Sequence, residues 1–451
     1  MSVHLSTSGD PEKTGTENTG TEETGTEETG TEETGTERAG AQEAGTAPVS
    51  AGPPGLSRGM VLLLAVTCGV AVGNVYFPQA VSPLVADGLG VSADTAAFVV
   101  TATQFGYAGG IFLLVPLADR VPYRTLIVTL LSLTGLGLLG AGAAPGISPL
   151  IVASVLIGVT TVVAQVIAPT AAGLVPEERR GAVTGTLLSG SIGGMLLSRV
   201  FGGTVGEWLG WRAPYLLTSA VALVIACVLA RALPRSTAAS RQRYPALLAE
   251  SLRLLRTEPE LRRSGFYQAM LFGGFSALWT GVALLLTGPE YGLGASAVGV
   301  LALVNAATMI CTPIAGRQVD RRGSDAVNLV CIVAVLVASA ILFAGGLGGV
   351  PGLAALAVGS LVLDVAMQSG TVANQVRIFG LSDRARARLN TAYMTCAYLG
   401  GSIGSWLAVR AYGGFGWPGV CGLVALMAAL ALVRHAVHLR GGAGRASRTR
   451  R

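Results

Sequence analysis

The sequence predicts an all-α integral membrane protein whose twelve transmembrane helices form two pseudo-symmetric six-helix bundles. Three observations carry this expectation. Hydrophobic residues make up 51% of the 451 and charged residues 12%, with a mean hydropathy of +0.60, whereas soluble domains carry about 25% charged residues. Apolar runs of about 20 residues, each enough to cross a hydrocarbon core of about 30 Å as a helix, recur twelve times. The chain also echoes itself: Gly190-Ser191-Ile192-Gly193 followed by Arg199 returns 211 positions later as Gly401-Ser402-Ile403-Gly404 followed by Arg410. An echo half a chain apart is what two homologous halves around a central site would produce. The same composition excludes a soluble enzyme.

The spans fall near 60–81, 94–115, 126–143, 149–171, 183–203, 213–233, 264–287, 296–316, 326–346, 352–376, 390–412 and 416–436. Orientation follows from the placement of arginine. Arg120 and Arg124, Arg179 and Arg180, the group from Arg231 to Arg263, Arg317 to Arg322, Arg377 to Arg388 and the tail from Arg434 all lie after even-numbered spans, whereas the intervening loops contain only Arg212. The positive-inside rule therefore predicts cytoplasmic termini in a multi-pass protein of the inner (plasma) membrane. Charge spread over every second loop is not the pattern of a nucleic-acid surface, so no nucleic-acid partner is expected.

Residues 1–57 are of a different composition. A TGTEE unit repeats with glycine every five residues from Gly15 to Gly45, and residues 1–55 hold eleven acids against Lys13 and Arg38, a net −9 that leaves +15 on the rest of the chain. Such a segment has too little apolar surface to offset its ordering entropy and is expected to be a disordered cytoplasmic extension. The expected organisation is this tail, a six-helix bundle over 58–234, a basic linker over 235–263, a second bundle over 264–437 and a basic tail over 438–451. The six cysteines fall within predicted spans without metal-ligand spacing, and the three histidines, His4, His435 and His438, lie in the tail or at the end of the last span. No metal, cofactor or histidine relay is expected.

The loop after the second span reads Val115-Pro116-Leu117-Ala118-Asp119-Arg120-Val121-Pro122-Tyr123-Arg124, and the loop after the eighth reads Gly316-Arg317-Gln318-Val319-Asp320-Arg321-Arg322-Gly323. Each places a carboxylate directly before an arginine at a helix end, where it can accept helix amides or pair with a neighbouring arginine and release when that side opens. These loops resemble the G-x-L-a-D-R-x-G-R-R signature of the major facilitator superfamily, and residues 58–437 fit its six-plus-six plan. The first copy carries Val115 in place of the leading glycine and Pro122-Tyr123 in place of Gly-Arg. The second has Gly316 and Gly323 but lacks the leucine. The retained Asp119-Arg120 and Asp320-Arg321 imply gating residues. The glycine-rich run from Gly185 to Gly203 resembles a degenerate antiporter motif without its proline. Ser154, ahead of Gly158, stands where proton-coupled members often carry arginine.

The tenth span supplies the first functional candidate. Asp364 is the one acid within a hydrophobic segment and away from a helix end, and Asp364, Gln368, Thr371 and Gln375 share one helical face. An aspartate at mid-bilayer costs about 2.5–3.5 kcal/mol on translocon scales, so it normally faces protein or a wet pathway. Asp364 is therefore read as either a switchable proton carrier or a fixed structural partner. Arg199 and Arg410, symmetric in the echo, are placed toward the outer ends of the fifth and eleventh spans as intramembrane charges. Asn74, Tyr76, Gln79, Gln104, Tyr107, Gln165, Gln268, Asn305, Gln368, Gln375 and Tyr393 are the candidate substrate lining, rich in amides and phenols and without a basic cluster.

The resemblance implies a monomeric secondary transporter of small molecules in the lipid bilayer, similar to drug:proton antiporters, which exports its substrate by alternating access with protons as the coupling ion. The alternative is an uptake symporter or uniporter for a neutral nutrient such as a sugar or nucleoside. An enzyme is not expected, because the spans hold no histidine away from the end of the last one, no paired carboxylates and no activated nucleophile beside a base.

Overall fold

A bilayer core forces every backbone amide to find its partner within the chain, and a sequence of long apolar runs answers with helices. The computed structural model describes residues 56–234, 243–382 and 385–448, so the acidic repeat, part of the linker and Arg384 lie outside the described residues. The helices are α1 (Arg58–Leu89), α2 (Ala93–Leu114), α3 (Tyr123–Gly142), α4 (Ile147–Thr160), α5 (Val163–Gly173), α6 (Glu177–Leu209), α7 (Arg212–Ala232), α8 (Tyr244–Thr257), α9 (Pro259–Thr287), α10 (Ser296–Val304), α11 (Thr308–Phe343), α12 (Gly349–Phe379) and α13 (Arg386–Arg448).

Ten helical stretches among the described residues are long and apolar enough to cross a membrane. Two of them are broken internally. Gly323 (φ 78°) interrupts α11 and Gly416 (φ 62°) interrupts α13, a left-handed backbone that glycine adopts without steric cost. The part of α11 before Gly323 completes the crossing that α10 begins, and the part after it is the next crossing. Counted on either side of the two breaks, the described residues make twelve crossings, six before the linker and six after it. The fourth crossing is itself made of α4 and α5. The described part of the linker holds α8, whose Leu247 and Ser251 are buried.

The echo has a direct packing consequence. On α6, Gly190 and Gly194 lie against Ala65 and Gly69 of α1; a Cβ on Gly194 would stand 2.1 Å from the Gly69 carbonyl oxygen. On α13, Gly400 and Gly404 lie against Ala269 and Gly273 of α9 in the same way, and a Cβ on Gly404 would stand 2.2 Å from the Gly273 carbonyl oxygen. Small residues let helices approach to backbone contact where lipid supplies no hydrophobic drive. The equivalent pairs are therefore Gly190 with Gly400 and Gly194 with Gly404, one residue out of register with the GSIG echo. One residue turns a helix by about 100°, so Arg199 and Arg410 are not structural equivalents. Val409, buried, stands where symmetry would put a second Arg199.

α1 passes through the centre with two prolines, Pro78 and Pro83. Each removes an amide and frees the carbonyl four residues earlier. The one freed by Pro83 belongs to Gln79 and is taken by the Ser82 hydroxyl at 3.3 Å. The break between α4 and α5 is tied to α1 as well: Thr161 donates to the Ala71 carbonyl (2.8 Å) and accepts from Asn74 Nδ2 (3.1 Å).

Candidate functional site

The middle of the molecule is a polar layer assembled from both bundles. Asp364 on α12 is fully within the protein, 2% exposed. Its Oδ2 accepts from Asn305 Nδ2 at 2.8 Å and its Oδ1 from Trp279 Nε1 at 3.3 Å. Asn305 can reach because it sits at the end of α10, where the helix tightens into a 3-10 turn and then resumes as α11. Ser360, one turn before Asp364 on α12, donates to Asn305 Oδ1 at 3.5 Å. The bonds to Asp364 shown here all come from the second bundle.

The opposing charge comes from the first. Arg199 is 0% exposed. Its Nε donates to Gln79 Oε1 of α1 at 3.0 Å, and its guanidinium lies 4.2 Å from the ring centre of Trp279, 5.1 Å from Tyr76 and 5.4 Å from Phe275. Trp279 thus touches both charges, giving its N–H to the carboxylate and its face to the guanidinium. The two charges interact electrostatically across the boundary between the bundles. A cation over an indole gains most where water is excluded.

Around this pair the expected lining residues sort into two groups. Tyr76 meets Tyr398 of α13 at 3.3 Å between hydroxyls, and the Tyr398 ring packs edge-on against Tyr107, whose hydroxyl accepts from Gln165 at 3.4 Å. Gln268 donates to Thr371 (2.7 Å) and accepts from Tyr393 (2.9 Å), tying α9 to α12 and α13. Asn74, Gln79, Gln104, Gln268 and Asn305 are sealed, whereas Gln165, Gln368 and Gln375 are partly exposed.

The two faces of the molecule differ. On the face opposite the arginine-rich loops the bundles are in contact. Glu207, near the end of α6, accepts from the Ser296 amide at the start of α10 at 3.0 Å, where the helix dipole favours an anion. A Cβ on Gly203 would lie 2.5 Å from the Ala295 carbonyl oxygen. Thr101 of α2 donates to Ser405 of α13 at 3.4 Å, and Ser405 also meets Thr280 of α9 at 2.9 Å. Arg410 lies on this face, exposed, 5.8 Å from the Trp406 ring centre, in a recess of about 260 Å³ with Ser92, Asp94 and Thr95. Replacing Glu207 with glutamine is expected to loosen this seal. Maleimide labelling of Thr101→Cys, read by mass spectrometry of that peptide, should become several-fold faster, and an unchanged rate would show that Glu207 does not hold the seam.

On the basic face the expected gating residues stand apart. Arg120, Asp320 and Arg321 are exposed and Asp119 partly so, and none of the four is in an ion pair among the described residues. The ion pairs there lie five residues beyond Asp320. Asp325 forms an ion pair with Arg263 (3.0 Å) and accepts from Arg377, and Glu260 pairs with both arginines, so α9, the second part of α11 and the end of α12 are clasped within one bundle. Arg388 pairs with Glu250 of α8 at 2.9 Å, and Tyr244 at the other end of α8 donates to the Leu113 carbonyl of α2 at 2.5 Å. The linker helix therefore touches both halves. Sequence reasoning missed the Glu260, Arg263, Asp325 and Arg377 cluster; the i,i+3 acid-base pair at the start of α9 was its visible sign.

A membrane-spanning protein of two six-helix bundles, with polar residues from both meeting at a central layer and one face sealed, defines a membrane transporter. The chain belongs to the Major Facilitator Superfamily, whose family model matches residues 62–374. It is 33% identical over 386 residues to the uncharacterized transporter YgaY of Escherichia coli O157:H7, covering 86% of this chain and 96% of that one. It is 29% identical over 269 residues to a chloramphenicol resistance protein of Streptomyces lividans, covering 58% of this chain and 67% of that one. Its fold is similar to a crystal structure of a mutant of the nucleoside transporter NupG, with a TM-score of 0.67 and 13% identity, covering 84% of this chain and 98% of that one.

Proposed function

We propose that this transporter exports a small organic molecule against proton entry by alternating access, with Asp364 as the proton carrier. The observation that carries this reading is the placement of Asp364, an acid half way along its span, in a sealed layer where it faces the arginine of the other bundle through a shared tryptophan. A carboxylate there gains or loses a proton at a cost that depends on how close the opposite charge stands. Rocking the bundles changes that closeness, and so couples proton occupancy to conformation. The similarity to a chloramphenicol resistance protein supports export as the direction.

The arginine-rich face is taken as cytoplasmic, by the positive-inside rule. The seal through Glu207 and the Gly203 contact then closes the outer side, and the partly exposed Gln165, Gln368 and Gln375 mark the route from the cytoplasm. Among the described residues Asp119, Arg120, Asp320 and Arg321 are in no ion pair, as latches would be on an open side.

The test is proton movement. In inside-out vesicles holding an imposed pH gradient, a substrate identified by a growth screen of a drug-sensitive host should release protons from the lumen as it enters. Protons moving in the same direction as the substrate would overturn export by exchange and favour uptake.

A further inference from the structure

The central arginine is only partly satisfied. Nε of Arg199 donates to Gln79, but among the described residues Nη1 and Nη2 have no acceptor, although the side chain is fully buried. Nearby amides are in the same condition. Among the described residues Gln79 Nε2 lacks an acceptor, and both polar atoms of Gln104 lack partners. Gln104 belongs to the same layer: Thr101, one turn before it on α2, bonds Ser405, and Tyr107, one turn after it, packs on Tyr398, so Gln104 faces α13 between them. A buried donor without an acceptor keeps its full desolvation cost, and here unmet donors outnumber unmet acceptors. The guanidinium is lined by the rings of Trp279, Tyr76 and Phe275, while its two terminal nitrogens form the free fork that matches a pair of oxygens.

We propose that the substrate is an uncharged aromatic molecule that presents an oxygen acceptor, such as a nitro, carbonyl or amide group, to the free edge of Arg199. The aromatic requirement comes from the rings lining the guanidinium. The absence of charge rests on the export reading. A carboxylate on Arg199 would take the cation away from Asp364 and draw a proton onto it, so that anion and proton would travel together. Exchange against protons requires an acceptor that satisfies Arg199 without adding a second negative charge.

The experiment uses the full chain purified in detergent at pH 7.5 and three probes of one shape: 4-nitrobenzyl alcohol, 4-aminobenzyl alcohol and 4-(hydroxymethyl)benzoate. Apparent affinities are taken from the shift of the thermal unfolding midpoint with probe concentration. The nitro compound is expected to bind about tenfold more tightly than the amino compound, the size of one hydrogen bond to a charged donor. Arg199→Lys keeps the charge without the fork and should shrink the preference to about twofold; Arg199→Gln should remove it. If either variant fails to fold, Gln104→Ala, which leaves Arg199 in place, should still lower the preference. Equal binding of the nitro and amino compounds, tightest binding of the benzoate, or a preference that survives Arg199→Gln would each overturn the proposal. A preference that depends on Arg199 in a protein that moves no protons would keep the recognition and overturn the export reading, and proton movement without the preference would do the reverse.

Discussion

Asp364→Asn is expected to abolish pH-driven transport while leaving substrate exchange down its own gradient in place. The substitution keeps the size and planarity of the side chain, and its amide oxygen can still accept from Trp279, while its NH2 group meets Asn305, whose own amide must turn to accept from it. What it removes is the group that takes up and releases the proton. Substrate-evoked proton release should fall to the background of empty vesicles, and counterflow of labelled substrate should continue. Full proton coupling in the variant would remove Asp364 as the carrier and return it to a structural role. The energetic cost has two opposing parts. Losing a mid-membrane carboxylate relieves about 2.5–3.5 kcal/mol on translocon scales, but it leaves Arg199 without its distant counter-charge, and an arginine cannot shed its proton as an aspartate can gain one. Should the variant lose its fold, the double variant Asp364→Asn with Arg199→Gln removes both charges and puts the same question to coupling.

That asymmetry explains which parts of the site could be read from the sequence. The spans were legible because the bilayer admits few solutions: a run of about 20 apolar residues must become a helix. Asp364 was legible for a related reason, since an acid at mid-span is too costly to be incidental. Arg199 was not. The sequence puts it toward the outer end of its span, and whether it points to lipid, to the outer surface or to the centre depends on the azimuth of α6. That azimuth is set by the contact of Gly190 and Gly194 with α1, which the sequence does not display. Treating Arg199 and Arg410 as a symmetric pair followed from trusting the motif over the packing. The structure instead buries one beneath three aromatic rings and leaves the other exposed on the sealed face. The cluster of Asp325 with Arg263 and Arg377 was hidden for a similar reason. It joins three helix ends far apart in sequence, whereas the Asp-Arg loops drew attention through a repeated pattern.

The register of the echo can be tested by what each glycine tolerates. Gly194→Val is expected to prevent stable folding. Its Cβ would stand 2.1 Å from the Gly69 carbonyl oxygen and 2.4 Å from the Gly69 Cα, and both obstacles are backbone of a neighbouring helix that cannot swing aside. Relief requires α1 and α6 to separate along their whole close approach, which exceeds the 1–3 kcal/mol typical of overpacked cores because no side chain can yield. Gly404→Val should fail in the same way, its Cβ 2.2 Å from the Gly273 carbonyl oxygen. Gly193→Ala is the contrast, since a Cβ there meets nothing within 4 Å, and alanine in a helix is favoured over glycine by about 0.5–1 kcal/mol. Fluorescence-detected size exclusion should show the two valine variants as aggregates or absent, and Gly193→Ala at the parent's yield with an equal or higher unfolding temperature. The motif as written aligns Gly193 with Gly404, and so demands that both be intolerant. The packing aligns Gly194 with Gly404 and leaves Gly193 free. A Gly193→Ala variant as damaged as Gly404→Val would restore the symmetric pairing of Arg199 with Arg410, and with it a second buried cation that the central layer described above does not contain.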